Sequence, residues 1–227
     1  MNYVPVKLPS RCKPYEGVNP DSIKIRSFLG KEELIISGIT KQNYDKRIVE
    51  LLESVLQGID ANVLTLGDRL YLLIWEAMNS YGDEKKVAYK CETCGLDLVD
   101  GIKLSEIENE EWPEDPALVY PAEITLSDGK KFTYRLLNNQ DSIKISEWEA
   151  FGKNSHLYKY ALSLSRSGMT LLEITNYLET VPSADLSLIR KMEGSFRHGP
   201  ILEKKYVCKH CDSEGRIFLP FRLEFFS

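Results

Sequence analysis

Two Cys-x-x-Cys turns stand at the ends of a long stretch of chain and constrain the fold more than any other feature. The first holds Cys91 and Cys94, the second holds Cys208 and Cys211, and each follows a tyrosine two residues upstream. Such a turn directs two thiolates at one centre, so two turns supply the four sulfurs of a closed tetrahedral zinc site. We therefore predict that the turns meet around one structural zinc ion and that the chain between them loops out and returns.

Other roles for these cysteines are also compatible with the sequence. A Cys-x-x-Cys turn suits thiol redox chemistry, but the second turn favours a metal site. His210 lies inside the second turn and is an alternative ligand, although both cysteines of that turn are present. Lys90, Lys209 and Arg216 are expected to soften the negative charge of four thiolates. Cys12 has no partner in the sequence and is expected to be a small apolar side chain.

The composition limits the classes of protein to consider. A chain of 227 residues, 43% of them hydrophobic, can build one large domain or two small ones. Its net charge of −5 disfavours nucleic acid, because nucleic-acid-binding proteins usually need a basic surface to replace phosphate counterions. No apolar run has the length of a membrane span, and no signal peptide is evident. We expect no membrane association and a reducing cytosol, where paired cysteines more often bind metal than form disulfides.

The longest apolar run predicts a buried central helix. Thr65 can cap it, with Asp68 at the third position, and the residues up to Met78 are apolar on nearly every face. Gly82 ends it. Before it, residues 40–58 carry apolar side chains at helical spacing and predict an amphipathic helix that packs against the central one.

The first 22 residues are predicted to form an extended arm, because four prolines among them fix φ and remove hydrogen-bond donors. Apolar side chains of this arm are candidate partner-binding residues: Tyr3, Val4, Val6, Leu8 and Tyr15. Two alternatives stay open, since the arm can pack on its own domain or dock on a neighbouring subunit.

The middle of the chain predicts a β-hairpin. Apolar runs at residues 119–126 and 130–137 flank Ser127, Asp128 and Gly129, and an Asp-Gly pair favours a turn in which both residues take positive φ. The acidic stretch of residues 106–115, which precedes the hairpin, is expected to be a solvated loop, with a docking strip for a basic partner as the alternative.

Helices are predicted after the hairpin. Asp141 and Ser183 are expected to cap two of them, and Thr170 forms a capping box with Glu173. A strand is predicted at residues 217–226, with Pro220 restricting part of it to a sheet edge or bulge.

Together these elements predict an α+β fold with a helical N-terminal half and a β-hairpin-rich middle that carries a helical insertion, closed by a split four-cysteine zinc ribbon. The predicted parts are the arm (1–22), an α-rich part with the central buried helix (23–84), a β-rich zinc-ribbon part (85–138 and 200–227) and the helical insertion (139–199).

Enzyme motifs are missing from the sequence. It has three histidines and no HExxH, GxSxG, P-loop or GxGxxG pattern, so we predict no catalytic residues and no small-molecule substrate. A cytosolic metal-dependent enzyme is one alternative. A zinc-ribbon nucleic-acid-binding protein is another, although in the helix-turn-helix-like segment at residues 170–192 the basic Arg190 and Lys191 lie beside acidic residues.

A series of short motifs in the first hundred residues carries a family resemblance. In order they are Leu8-Pro9-Ser10, Tyr15, Ile23-Lys24-Ile25-Arg26, Glu32-Glu33, an amphipathic helix, Leu66-Gly67-Asp68-Arg69-Leu70, Ser80-Tyr81-Gly82 and a Cys-x-x-Cys turn. In this order the chain resembles the baseplate hub family, hub subunits or hub assembly proteins, of T4-like contractile-tailed bacteriophages. The resemblance implies a non-catalytic structural or assembly protein that contacts other baseplate or tail proteins. It also implies a location in the host cytoplasm during assembly or in the tail baseplate of the virion.

Overall fold

The computed structural model describes residues 2–219 and 226, and within them helices and short antiparallel strands alternate along the chain. The α-helices are α1 (Gly30–Ser37), α2 (Tyr44–Val55), α3 (Leu66–Tyr81), α4 (Asn139–Ala150), α5 (His156–Ser163), α6 (Leu171–Leu178) and α7 (Ser183–Ser195). The strands are β1 (Val4–Pro5), β2 (Lys24–Ile25), β3 (Leu56–Gln57), β4 (Glu84–Lys90), β5 (Asp97–Lys103), β6 (Asn109–Glu110), β7 (Ala122–Thr125), β8 (Lys131–Tyr134), β9 (Leu164–Ser165), β10 (Gly199–Pro200), β11 (Glu203–Val207) and β12 (Glu214–Phe218). Short 3-10 helices lie at Pro20–Ser22, Ala61–Val63 and Leu104–Glu106. The fold is therefore mixed α+β, as predicted.

Helix α3 lies in the larger of the apolar cores and matches the predicted central helix. The Thr65 side chain accepts a hydrogen bond from the N–H of Asp68 at 3.4 Å, and Gly82 ends the helix with a φ of 95°. α2 supplies a fully buried apolar face, although it begins at Tyr44 and not at residue 40. The sequence prediction missed α1, which buries Glu32 in place of an apolar stripe.

The N-terminal arm packs on the chain's own core. β1 pairs with β2, and β2 with β3, in an antiparallel sheet. Val6, Leu8 and Tyr15 are buried in the larger core, whereas Tyr3 is half-buried and Val4 is exposed. Val6, Leu8 and Tyr15 therefore pack on the arm's own domain. Docking of Tyr3 and Val4 on a neighbouring subunit stays a prediction.

Two hairpins carry the cysteine turns. β4 pairs with β5 over seven residue pairs, β11 pairs with β12 over five, and a Cys-x-x-Cys turn connects the strands of each hairpin. Ile102, Tyr206 and Ile217 bury one side of these hairpins in the larger core. The ends of the predicted loop thus return to the same core.

A second apolar core is formed by residues that lie between the two hairpins in sequence. β7, β8 and β9 form an antiparallel sheet, and side chains of α5, α6 and α7 pack with it around Phe132, Tyr134 and Phe196. The chain enters and leaves this core through β6 and β10, which pair with each other. The β7–β8 hairpin thus shares its core with the helices that follow it, whereas the sequence-based division groups it with the zinc ribbon. The domain division itself stays a prediction.

The β7–β8 turn differs from the predicted type. Gly129 takes a φ of 82°, but Asp128 is not among the residues with positive φ. The Leu126 N–H donates to the Lys130 carbonyl at 2.9 Å, so the loop has three residues and not two. A three-residue hairpin loop needs the left-handed conformation only at its last position, where the glycine stands.

Two helix starts also differ. Asn138, not Asp141, caps α4, and Asp141 occupies the third helical position, where it accepts from the Asn138 N–H at 3.1 Å. Ser183 is the first residue of α7, after Pro182, and no side chain caps that helix. The Thr170–Glu173 capping box of α6 is confirmed.

Several remaining predictions concern exposed or terminal segments. The acidic stretch at 106–115 is mostly exposed, but it contains β6, the buried Trp112, and two glutamates paired with Arg11. The strand predicted at residues 217–226 overlaps β12 only at residues 217 and 218, and residues 220–225 lie outside the described residues. Among the helices of the described chain, none combines the length and apolar character needed to cross a membrane.

Candidate metal centre

The two cysteine turns repeat one backbone geometry. In each, the N–H of the first cysteine donates to the carbonyl five residues later, and the N–H after the second cysteine donates back to the first, all at 2.9 Å. This geometry puts the residue after the second cysteine in the left-handed region, at a φ of 71° for Gly95 and 54° for Asp212. Glycine takes that conformation freely and aspartate is among the residues that tolerate it, so both sequences suit the turn.

The turns bring all four predicted sulfurs together. The Sγ atoms of Cys91, Cys94, Cys208 and Cys211 lie within 4.8 Å of one another. Cys91 is 3.8 Å from Cys211, and Cys94 is 3.8 Å from Cys208. Sulfurs about 2.3 Å from a central zinc ion in a tetrahedron would lie about 3.8 Å apart, whereas a disulfide would need about 2 Å. The cluster thus has the size of a four-thiolate metal site.

Hydrogen bonds favour the ionised form of two of the thiols. The Cys94 N–H and the Ser213 hydroxyl lower the pKa of Cys91 to about 5. The same hydroxyl, 3.0 Å from Cys211 Sγ, lowers the pKa of that thiol. At Cys94 the Leu96 N–H lowers the pKa, but desolvation and the neighbouring sulfurs outweigh it and raise the pKa to about 12. Four sulfurs this close cannot all be ionised unless a cation balances them, and a divalent metal supplies that charge.

Aromatic contacts hold the two hairpins in register beside the sulfurs. The rings of Tyr89 and Tyr206, the residues two positions before each turn, have centroids 4.8 Å apart. The Tyr206 hydroxyl accepts from the N–H of Glu92 in the opposite turn at 3.3 Å. Lys204 Nζ donates to the Gly101 carbonyl at 3.1 Å, which links β11 to β5.

The three basic residues that were expected to soften the charge of the thiolates each form an ion pair with a carboxylate. Their ion pairs are Lys90 with Asp97 at 3.7 Å, Lys209 with Asp100 at 3.8 Å, and Arg216 with Glu203 at 2.9 Å. His210 is exposed and is not a member of the four-sulfur cluster. Cys12 is buried elsewhere, in the larger core, as a small apolar side chain would be.

The donor set decides what this centre can bind. Four thiolates in a tetrahedron suit zinc or iron, and they leave no ligand position free for a substrate. Bound metal would therefore join two hairpins from distant parts of the chain. It would supply folding energy, because the site does not exist in the unfolded chain.

Comparison with known proteins adds the family. The chain matches the family model described as T4 bacteriophage base plate protein over residues 1–226. The chain belongs to this baseplate family. No curated protein and no solved structure matches this baseplate protein. Family membership supports a structural protein of the phage tail baseplate and suggests a non-enzymatic role among other tail proteins.

Sequence reasoning missed a buried polar network in the baseplate protein where the arm meets α3. Asp68 accepts from the Ser10 N–H at 3.0 Å and from the Tyr15 hydroxyl at 2.5 Å. His198 Nε2 lies 2.7 Å from Thr65 Oγ1 and connects the segment before β10 to the same network. From the sequence, Asp68 could be recognised only as a residue of the first helical turn, because its hydrogen-bond partners are distant in sequence.

Proposed function

We propose that this protein is a non-catalytic structural or assembly subunit of the tail baseplate hub, and that a structural zinc ion joins its two cysteine turns. The baseplate role is supported by the family match, and the zinc site by the four sulfurs, which lie within 4.8 Å of one another and belong to hairpins at residues 84–103 and 203–218. A closed centre of this kind fixes shape, and a fixed shape is what a subunit of an ordered assembly must present to its neighbours.

Zinc is proposed because it is the ordinary occupant of closed tetrahedral sites built from paired Cys-x-x-Cys turns. X-ray absorption on the purified full chain tests this. We expect one zinc ion per chain, surrounded by four sulfurs at about 2.3 Å. An iron edge, or a light ligand such as water in the first shell, would overturn the zinc assignment.

Contacts with other tail proteins are proposed to use the exposed sides of the cysteine hairpins and the start of the arm. Each hairpin is a two-stranded ladder within the described residues, so its outer backbone groups can pair with a partner strand. Val99, Val207 and Phe218 project from these hairpins with exposed fractions of 63%, 59% and 72%. Tyr3 and Val4 extend the candidate surface at the arm.

A complementation experiment tests the assembly role. Phage that lack this gene are grown with plasmids that supply the wild-type chain or none, and tails are examined by electron microscopy and mass spectrometry. We expect incomplete baseplates without the chain. Its presence in finished baseplates would identify a structural subunit, and its absence from complete ones an assembly factor. Normal infectious tails without the gene would contradict both roles.

A further inference from the structure

A cleft separates the start of α3 from the second core. Its volume is about 560 Å³, and its walls come from the first residues of α3, the end of β8, and helices α5 and α7. The metal centre does not line it, and neither do the exposed faces of the cysteine hairpins. We propose that this cleft binds a short acidic segment of a neighbouring tail protein; the source of the segment rests on the proposed assembly function.

Tyr134 supplies the first argument for a ligand. Its side chain is 1% exposed and lines the cleft, with its ring stacked near Phe196 at a centroid distance of 6.3 Å. The hydroxyl makes no hydrogen bond to any residue that the structure describes. The hydroxyl oxygen is not among the fully buried side-chain atoms that lack a partner, so it reaches the surface of the cleft, where it can bond water or a ligand. Burial raises the pKa of Tyr134, so the hydroxyl keeps its proton and can donate it to an acceptor in the cleft.

The charged lining supplies the second argument. Three cations line the cleft, Lys159, Arg190 and Arg197, against the single carboxylate of Glu193. Arg190 bonds the hydroxyl of Ser187 at 2.9 Å, and it has no carboxylate partner among residues 2–219 and 226.

The other two cations remain available to a ligand. Lys159 is 3.8 Å from Glu149, and Arg197 Nε is 3.1 Å from Glu110. Such exposed pairs contribute little stability and can be exchanged for a ligand. The cleft therefore offers many hydrogen-bond donors and few acceptors, which suits a ligand rich in carboxylates.

The walls and the whole-chain charge identify the occupant as peptide. Leu136, Leu137 and Tyr160 are half-buried and give the cleft apolar surface for side chains between the charged groups. Nucleic acid is also rich in acceptors, but the net charge of −5 repels a polyanion that extends beyond the cleft. A short acidic segment presents its carboxylates to the cations and its apolar side chains to this apolar surface.

A peptide array tests the inference. Short overlapping peptides that tile the other tail proteins of the same phage are probed with the full-length protein, and positive peptides are measured by fluorescence anisotropy. We expect the bound peptides to be acidic and to bind about tenfold more weakly when Arg190→Gln or Tyr134→Phe is introduced. Tyr134→Phe removes one hydroxyl that has no partner within the described chain, so we expect the variant to fold normally.

Lys191→Gln is the matched control, because Lys191 neighbours Arg190 on α7, is exposed and does not line the cleft. The control should bind like the wild type, and replacing glutamate by glutamine in the peptides should abolish binding. The inference is overturned if no peptide depends on Arg190 and Tyr134, or if a single-stranded oligonucleotide or inorganic phosphate competes as well as the peptide. Phage that assemble normally with Arg190→Gln would also count against the cleft, yet they would leave the proposed assembly function standing.

Discussion

Glu76 places a carboxyl group inside the larger core, on α3. The side chain is fully buried; Oε2 accepts from the Ser80 hydroxyl at 3.1 Å, while Oε1 has no hydrogen bond within the described chain. Desolvation raises the pKa of Glu76 to about 8. An acid whose pKa is higher folded than unfolded binds more protons in the folded state, so stability decreases as pH rises from about 4.5 to about 8.

We predict that Glu76→Gln removes this decrease and stabilises the protein at pH 8 by on the order of 3–5 kcal/mol. Urea denaturation of the metal-bound protein at several pH values between 5.5 and 8.5 measures how the free energy of unfolding depends on pH. The exposed Glu179→Gln serves as control and should leave the pH profile unchanged. Parallel profiles for wild type and Glu76→Gln would show that Glu76 is ionised in the folded protein at neutral pH.

At the scale of elements, the β11–β12 hairpin depends on a glycine opposite an aromatic ring. Gly215 pairs with Tyr206 across the ladder, and a Cβ at Gly215 would meet the Tyr206 ring at 2.6 Å. We predict that Gly215→Ala displaces this ring, lowers the free energy of unfolding by about 1–3 kcal/mol and speeds metal release. Displacement of the Tyr206 ring would disturb the cysteine centre, because Tyr206 also contacts Tyr89 and bonds the opposite cysteine turn.

A matched substitution on the other hairpin separates this clash from a general effect of alanine. Gly101 lies on β5 and has open space where a Cβ would stand. Gly101→Ala should therefore be neutral or slightly stabilising, since glycine weakens strand interiors. Denaturation midpoints and transfer of metal to a coloured chelator measure both variants. Equal behaviour of the two would contradict the proposed contact.

Elements with local signals were predictable from the sequence. Thr65 and Thr170 stand before helical patterns and cap helices as expected, because a cap requires only neighbouring residues. α1 was not predictable in this way, because its buried residue is Glu32, which pairs with Arg26 at 2.8 Å and not with an apolar neighbour. The prediction of the β7–β8 turn was correct in its position but wrong in the turn type, since loop length depends on the register of the strands.

In the candidate sites, too, features with a local sequence pattern were predictable and features built from distant segments were not. Cys-x-x-Cys spacing is a local pattern, so the four cysteines could be named from the sequence, and only their meeting required the fold. The cleft at Tyr134 and the network at Asp68 could not be predicted. Their members come from segments far apart in sequence, and each residue alone resembles an ordinary core or surface residue.

At the scale of the whole molecule, the two largest apolar cores within the described residues differ in whether they include the cysteine cluster. The larger core contains the arm, α2, α3 and both cysteine hairpins, so it joins the beginning and the end of the described chain. The second core consists of residues between 112 and 196 and contains no member of the cysteine cluster. A metal ion held by the four sulfurs would close a loop of more than a hundred residues.

We therefore predict that Cys91→Ser, or removal of the metal from the wild type by a chelator, loosens the larger core first. Hydrogen exchange should show lost protection in β4, β5, β11 and β12, whereas β7, β8 and α5–α7 keep theirs, because binding energy at such a site is folding energy for the segments it joins. Cys12→Ser is the control and should retain one metal ion per chain, since Cys12 lies outside the cluster. Unchanged exchange after chelation would show that the hairpins are held by their apolar contacts alone. Simultaneous loss in both cores would show that the molecule unfolds as one cooperative unit.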